Sequence, residues 1–169
     1  MNKVIIRPVF LSDAEKVTEW LNQLVKETPE IVEHATKTTV EQQKLAISSS
    51  VWDLRENKAI SLVALQDNKV VAKIDIKKRP KEIDNHVGEA IFGVLDGYDE
   101  AGIALIEEAC KKSKEIGVEN VVYYMLDSNQ RFLQLFKEAG FEEVGRMYNY
   151  YKRDKEYFHR VIMQKFLNE

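Results

Sequence analysis

The segment Val121-Val122-Tyr123-Tyr124-Met125-Leu126, followed by Asp127-Ser128-Asn129-Gln130-Arg131-Phe132-Leu133-Gln134-Leu135-Phe136-Lys137-Glu138-Ala139-Gly140-Phe141, decides the fold. Its first residues form an unbroken apolar run, the pattern of a buried strand. Ser128 to Ala139 then reads as a short helix with Phe132, Leu135 and Phe136 facing inward, closed by Gly140. Upstream, Gly102, Leu105, Ile106, Ala109, Ser113 and Ile116 share one helical face, and Gly117 stops the run. Before that helix, His86-Val87-Gly88-Glu89-Ala90-Ile91-Phe92-Gly93-Val94 reads as a strand ending at Asp96-Gly97. Strand, helix and strand in this order predict a crossover connection and a parallel pair.

Outward from this unit, Ile60–Leu65 and Val70–Ile76 alternate on either side of Asp67-Asn68, which predicts a hairpin that the His86–Val94 run extends. Val4-Ile5-Ile6, bounded by Arg7-Pro8, predicts an opening strand. Ser12-Asp13-Ala14-Glu15 has the pattern of a capping box, and Val17, Trp20, Leu21 and Leu24 follow at helical spacing until Thr28-Pro29. Glu27 to Lys37 is polar and irregular. Thr39-Val40-Glu41-Gln42 predicts a second capped helix through Leu45, Ile47, Val51 and Trp52. The tail, Phe141 to Phe166, alternates through two strands around Arg153-Asp154-Lys155. The result is a single α+β domain over residues 1–169, a mixed sheet of about seven strands flanked by about four helices in the order β-α-α-β-β-β-α-β-α-β-β. In open sheets ligands gather at the C-terminal strand ends, where simple neighbour pairing stops. Here that points to Val94 and Asn129.

Composition narrows the function. The 169 residues are 44% hydrophobic and 31% charged, with a net charge of −3, so nothing in the bulk electrostatics favours nucleic acid as a partner. No apolar run has the roughly 20 residues that a membrane-spanning helix needs. The single cysteine, Cys110, suits a reducing cytoplasm. No HExxH, no nucleotide-type glycine loop and no cluster with metal-ligand spacing is present, and the expected metal content is none.

The run from Asn129 to Arg146, Asn-Gln-Arg-Phe-Leu-Gln-Leu-Phe-Lys-Glu-Ala-Gly-Phe-Glu-Glu-Val-Gly-Arg, resembles the N-x-x-(x)₃-L-[YF]-x-x-x-G-F-x-x-x-G segment of the GNAT superfamily of acetyl-CoA-dependent N-acetyltransferases. Ile6-Arg7-Pro8, Glu27-Thr28-Pro29, His86-Val87-Gly88-Glu89 and Val161-Ile162-Met163 are similar, in order and spacing, to a bacterial branch that includes ribosomal-protein and small-amine acetyltransferases. The resemblance implies transfer of an acetyl group from acetyl-CoA, as co-substrate, to a primary amine on a small molecule or peptide, by direct attack. It implies a homodimer as the assembly. Such chemistry needs a base for the amine proton, donors for the oxyanion and leaving thiolate, a strand edge to pair with the pantetheine amides, and free N–H groups for the pyrophosphate.

On that resemblance, the pairing edge is Phe92, Gly93 and Val94, and the phosphate cradle is the turn Gly97–Ala104, including Ala101, Gly102 and Ile103. Glu89 is the candidate general base, with His86 able to act through water. Asn129 offers its amide near the thioester, and Phe136 stands where the family often has a proton-donating tyrosine. Tyr148, Tyr150, Tyr151, Tyr157, Phe158 and His159 either line the amine pocket or pack the final strands. The family's [RQ]-x-x-G-x-[GA] turn is not matched cleanly. One register places it on Gly97-Tyr98-Asp99-Glu100-Ala101-Gly102, which keeps Leu105, Ile106, Ala109 and Ser113 inward; another places it on Asp99-Glu100-Ala101-Gly102-Ile103-Ala104. In both the cationic or amide side chain is missing, and Asp96, Asp99 and Glu100 bring negative charge instead. These departures define the competing reading: a weak or inactive relative that uses the fold to bind or regulate.

Overall fold

The computed structural model describes residues 3–31 and 37–168. Along them the chain runs β1 (Ile5–Pro8), α1 (Ala14–Glu27), α2 (Val40–Arg55), β2 (Ala59–Gln66), β3 (Lys69–Lys78), β4 (Val87–Val94), α3 (Asp99–Glu115), β5 (Asn120–Leu126), α4 (Gln130–Glu138), β6 (Glu142–Arg153) and β7 (Glu156–Phe166). This is the order read from the sequence. The strands form one sheet, β1-β2-β3-β4-β5-β7-β6. Every neighbouring pair is antiparallel except β4 and β5.

That parallel ladder is short, running from Val87↔Asn120 to Ala90↔Tyr123. Beyond it β4 stays with β3 as far as Ala72↔Val94, while β5 stays with β7 as far as Leu126↔Arg160. The sheet therefore opens after Ala90 and Tyr123. The facing edges of residues 91–94 and 124–126 have no ladder partner in the described chain.

The helices cover both faces. The buried stripe of α1, Val17, Trp20, Leu21 and Leu24, lies on the face of β4 that carries Gly93. A Cβ on Gly93 would come within 2.3 Å of Leu24 Cδ2 and 2.9 Å of Trp20 Cζ2, so this close approach needs glycine. On the opposite face, Gly102 of α3 sits against Phe92 and Val94, and Phe132 and Phe136 of α4 pack edge-on to Phe92. Between β2 and β3, Asp67 and Asn68 take left-handed conformations, φ 50° and 64°, which carry the tight hairpin.

Two local expectations are corrected. Ser12 does not open a capping box: Leu11–Asp13 form a 3-10 turn and α1 starts at Ala14. Asp13 is instead held by Arg7, accepting from both Nη atoms at 2.7 and 2.8 Å, and from the Phe10 N–H at 2.8 Å. In α2 the Thr39–Gln42 capping box does form, but Leu45 and Trp52 face solvent and only Ile47 is buried. Residues 32–36 of the polar stretch after α1 lie outside the described residues.

Candidate active site

At one end of the opening, β4 turns into α3 through Gly97, whose φ of +83° is strained for any side chain. Tyr98 at the start of α3 provides no side-chain cap, so the first-turn N–H groups are left for another acceptor. Ala101 and Gly102 are buried, Ile103 is half-buried, and Gly102 fixes α3 against β4, with Phe92 Cζ 3.2 Å from its would-be Cβ. On the β1–β2 side of this turn lies a cavity of about 410 Å³ lined by Val4, Gln66 and residues 97–101.

On the β5 side stands Arg131, from the first turn of α4. Its Nη1 pairs with Asp96 Oδ1 at 2.6 Å and its Nε donates to Asp99 Oδ1 at 2.9 Å. Nη2 donates to the Leu95 carbonyl at 2.8 Å, and Nη1 reaches the Val94 carbonyl at 3.5 Å. Two of the three acids that count against a pyrophosphate thus share one cation from a different element, which offsets one of their two charges. Arg131 also occupies the end of the β4 edge. Its signal in the sequence was a cation in the first turn of a helix, where the dipole disfavours positive charge unless a partner compensates.

Asn129 is 6% exposed and caps α4, its side-chain oxygen accepting from the Phe132 N–H at 3.2 Å. Phe136 is fully buried, stacked on Tyr123 with centroids 4.1 Å apart and edge-on to Phe92 and Phe141. The side chains of Phe92 and Phe136 are thus core, filling the space between α4 and the opened strands.

The other face of the opening carries Glu89 and Ile91, which alternate with the buried Gly88, Ala90 and Phe92. Glu89 is ion-paired with Arg79, and Arg79 also pairs with Asp84 at 2.7 Å. Arg79 is pushed up by its hydrogen bonds to Asp84 and Glu89, and Asp84 is held below the usual carboxylate range by Arg79. Glu89, Ala90, Ile91, Tyr124 and Arg160 line a second cavity of about 410 Å³, closed on one side by residues 77–80. His86 contributes its backbone carbonyl, which accepts from the N–H groups of Glu119 and Asn120. Of the final-strand aromatics, Tyr148 packs edge-on to His159, Tyr150 to Tyr151, and Tyr157 lies under Lys152. They pack the β6–β7 hairpin, and Tyr150 is joined to the cavity wall through Arg160. Neither Arg79 nor Arg160 carried a local sequence signal. Among the described residues no group of His, Cys, Asp and Glu is placed to hold a metal, and no helix is long and apolar enough to cross a membrane.

The described chain is an α+β sheet opened between a parallel pair, with a helix N-terminus at one end of the gap and a cavity beside Glu89 at the other. The sequence matches no family model and no curated protein. Solved structures do match. A GNAT-family acetyltransferase from Streptococcus pneumoniae superposes with a TM-score of 0.85 at 19% identity, over 97% of this chain and 99% of that one. The ribosomal-protein-alanine N-acetyltransferase of Brucella melitensis gives 0.81 at 22% identity, over 96% and 99%. A GNAT superfamily phosphinothricin acetyltransferase from Sinorhizobium meliloti, in complex with acetyl-CoA, gives 0.81 at 17%, over 96% and 88%. The chain has the GNAT fold.

Proposed function

We propose that residues 1–169 act as one cytoplasmic N-acetyltransferase domain that moves an acetyl group from acetyl-CoA to a primary amine by direct attack. The observation that carries this is the opening of the sheet after Ala90↔Tyr123, in a fold shared with a neighbour bound to acetyl-CoA. The residues present fit that co-substrate. The free edge at Phe92–Val94 offers backbone groups to the pantetheine amides, the uncapped first turn of α3 offers N–H groups to a pyrophosphate, and Arg131 supplies the positive charge that the turn itself lacks. Acetyl-CoA supplies an acetyl thioester: as the amine nitrogen bonds to its carbonyl carbon, the C–S bond breaks and the sulfur leaves with the electron pair. Glu89 takes the amine proton, directly or through water. With Phe136 in the core, water returns a proton to the thiolate.

A second reading has its own support. Arg131 fills the end of the β4 edge, and Phe136 has no proton to give, as in a relative that keeps the fold for binding or regulation. Calorimetric titration with acetyl-CoA and with free CoA, at low and moderate salt, separates the two. Micromolar binding, followed by amine-dependent release of CoA that falls about 10²-fold or more in Glu89→Gln, supports transfer. No heat and no thermal shift up to millimolar ligand refutes it. A homodimer, which the resemblance implies, is checked by sedimentation.

A further inference from the structure

The cavity beside Glu89 has four cationic side chains on its wall: Lys77, Lys78, Arg79 and Arg160. Three are committed. Lys77 Nζ pairs with Asp53 at 2.8 Å, Lys78 Nζ donates to the Ile116 carbonyl at 3.0 Å, and Arg79 is shared between Asp84 and Glu89. Arg160 differs. Its guanidinium carbon lies 3.6 Å from the Tyr124 ring centroid and 4.8 Å from that of Tyr150, and no carboxylate among the described residues pairs with it. Its Nε is buried with no hydrogen-bond partner. Asp127, close by in the chain pairing, is taken up by the His159 N–H at 2.9 Å.

Two aromatic rings hold the guanidinium in place while its N–H fork keeps no acceptor among the described residues. A buried donor without a protein acceptor is uncommon in folded proteins and is met by a water or by a ligand group. The fork matches a carboxylate, which can accept two parallel hydrogen bonds from it. The sheet fixes where such an anion lies relative to the chemistry. Arg160 on β7 and Glu89 on β4 point to the same face from strands two apart; Glu89 is level with Val122 and Arg160 with Leu126, four residues further along β5, and both long side chains reach toward the same cavity. Between them sit Ala90, Ile91 and Tyr124, the residues where β4 and β5 part. The cavity volume lies within the range of about 300–1,000 Å³ usual for small-molecule sites.

We propose that Arg160 is the anion-recognition residue of the acceptor subsite, and that the acceptor is a small amino acid, bearing an amine and a carboxylate on one molecule. This rests on the acetyl-transfer reading. Arg160 takes the carboxylate, and the amine is left between Glu89 and the opening of the sheet.

The test follows CoA release from acetyl-CoA with matched acceptors: free L-amino acids, their carboxamides, the corresponding amines without the carboxylate, and C-terminally amidated peptides. The expected result is a kcat/KM for amino acids about 10- to 100-fold above that of their carboxamides, the size of a charge-assisted pair. In Arg160→Gln this preference collapses through a raised KM for the amino acid, and Arg160→Lys restores part of it. Thermal melting and acetyl-CoA titration of both variants confirm that the fold and donor end are intact. Saturation-transfer NMR with the same amino acids, without acetyl-CoA, separates this proposal from the reaction it rests on. Amino-acid binding that Arg160→Gln abolishes, with no turnover in the parent protein, supports the subsite and overturns the transfer reading. Turnover indifferent to the carboxylate, preference for amidated peptides, or neither binding nor turnover of amino acids overturns the subsite.

Discussion

Replacing Arg131 with alanine tests whether an arginine on one helix stands in for a cation missing from another. Alanine is the best helix former, so α4 itself loses nothing in propensity. The side chain is 28% exposed and gives up ion pairs with Asp96 and Asp99 and a hydrogen bond to the Leu95 carbonyl. Exposed ion pairs contribute about 0.2–1 kcal/mol each, and a net hydrogen bond about 1 kcal/mol. The loss is therefore about 2 kcal/mol, and the melting temperature falls by about 4–8 °C for a domain of this size. The effect on ligand is separate. Without Arg131, Asp96 and Asp99 face a pyrophosphate unneutralised, at about 1 kcal/mol or less for each screened pair. Acetyl-CoA affinity then falls about 5- to 30-fold at low salt, and the deficit shrinks at higher salt. Calorimetry on both proteins at two ionic strengths reads this directly. Binding that tightens in Arg131→Ala, while the melting temperature still falls, refutes the reasoning: Arg131 is then a plug in the opening.

Asp13→Asn breaks the pair with Arg7 and lowers stability by about 2 kcal/mol, since Asp13 is buried and Arg7 only partly so. Arg7 holds the Asp13 carboxyl below its ordinary range, so its contribution is present above the ordinary carboxylate range and fades as pH falls further; melts between pH 6 and pH 3 should show a larger drop in the parent than in the variant, since Asp84 and Glu143 lose their arginine pairs in both. Gly93→Ala forces a methyl against Leu24 and Trp20 and costs about 1–3 kcal/mol, read as a lower denaturant midpoint at unchanged slope. Burial pushes the Cys110 thiol up to about 11, so a thiol-reactive disulfide reagent at pH 8 should label the native protein slowly and the denatured protein at once.

The fold was legible because its signals are local. The left-handed stop at Gly140 and the apolar runs on either side of it define strand, helix and strand with no information from elsewhere in the chain. What local patterns missed had distant partners. Ser12 keeps the capping-box pattern although a 3-10 turn over Leu11–Asp13 precedes α1, and Leu45 and Trp52 keep helical spacing on a helix that buries Ile47 alone. The site divides in the same way. The edge at Phe92–Val94 and the turn at Gly97 follow from strand and turn patterns, but Arg131 meets Asp96 from 35 residues away, and Arg160 meets Tyr124 across the β5–β7 ladder. Spacing along the chain gives no hint of either.

The two ends of the opening are held by arginines of different kinds. Arg131 has several acceptors and is mostly covered, so Asp96 and Asp99 are ion-paired before any ligand arrives, one positive charge offsetting part of the acidic turn at α3. Arg79 and Glu89 have side chains 43% and 40% exposed, and an ion pair that open to water is weak. An ammonium entering the cavity can displace Arg79 from Glu89, because Arg79 keeps Asp84 as its partner. On the proposed acetyl transfer, Glu89 would then face the nitrogen whose proton it takes. On that reading the donor end is preset while the acceptor end rearranges around its ligand, and the chemistry of recognition falls to the cavity bounded by Glu89 and Arg160.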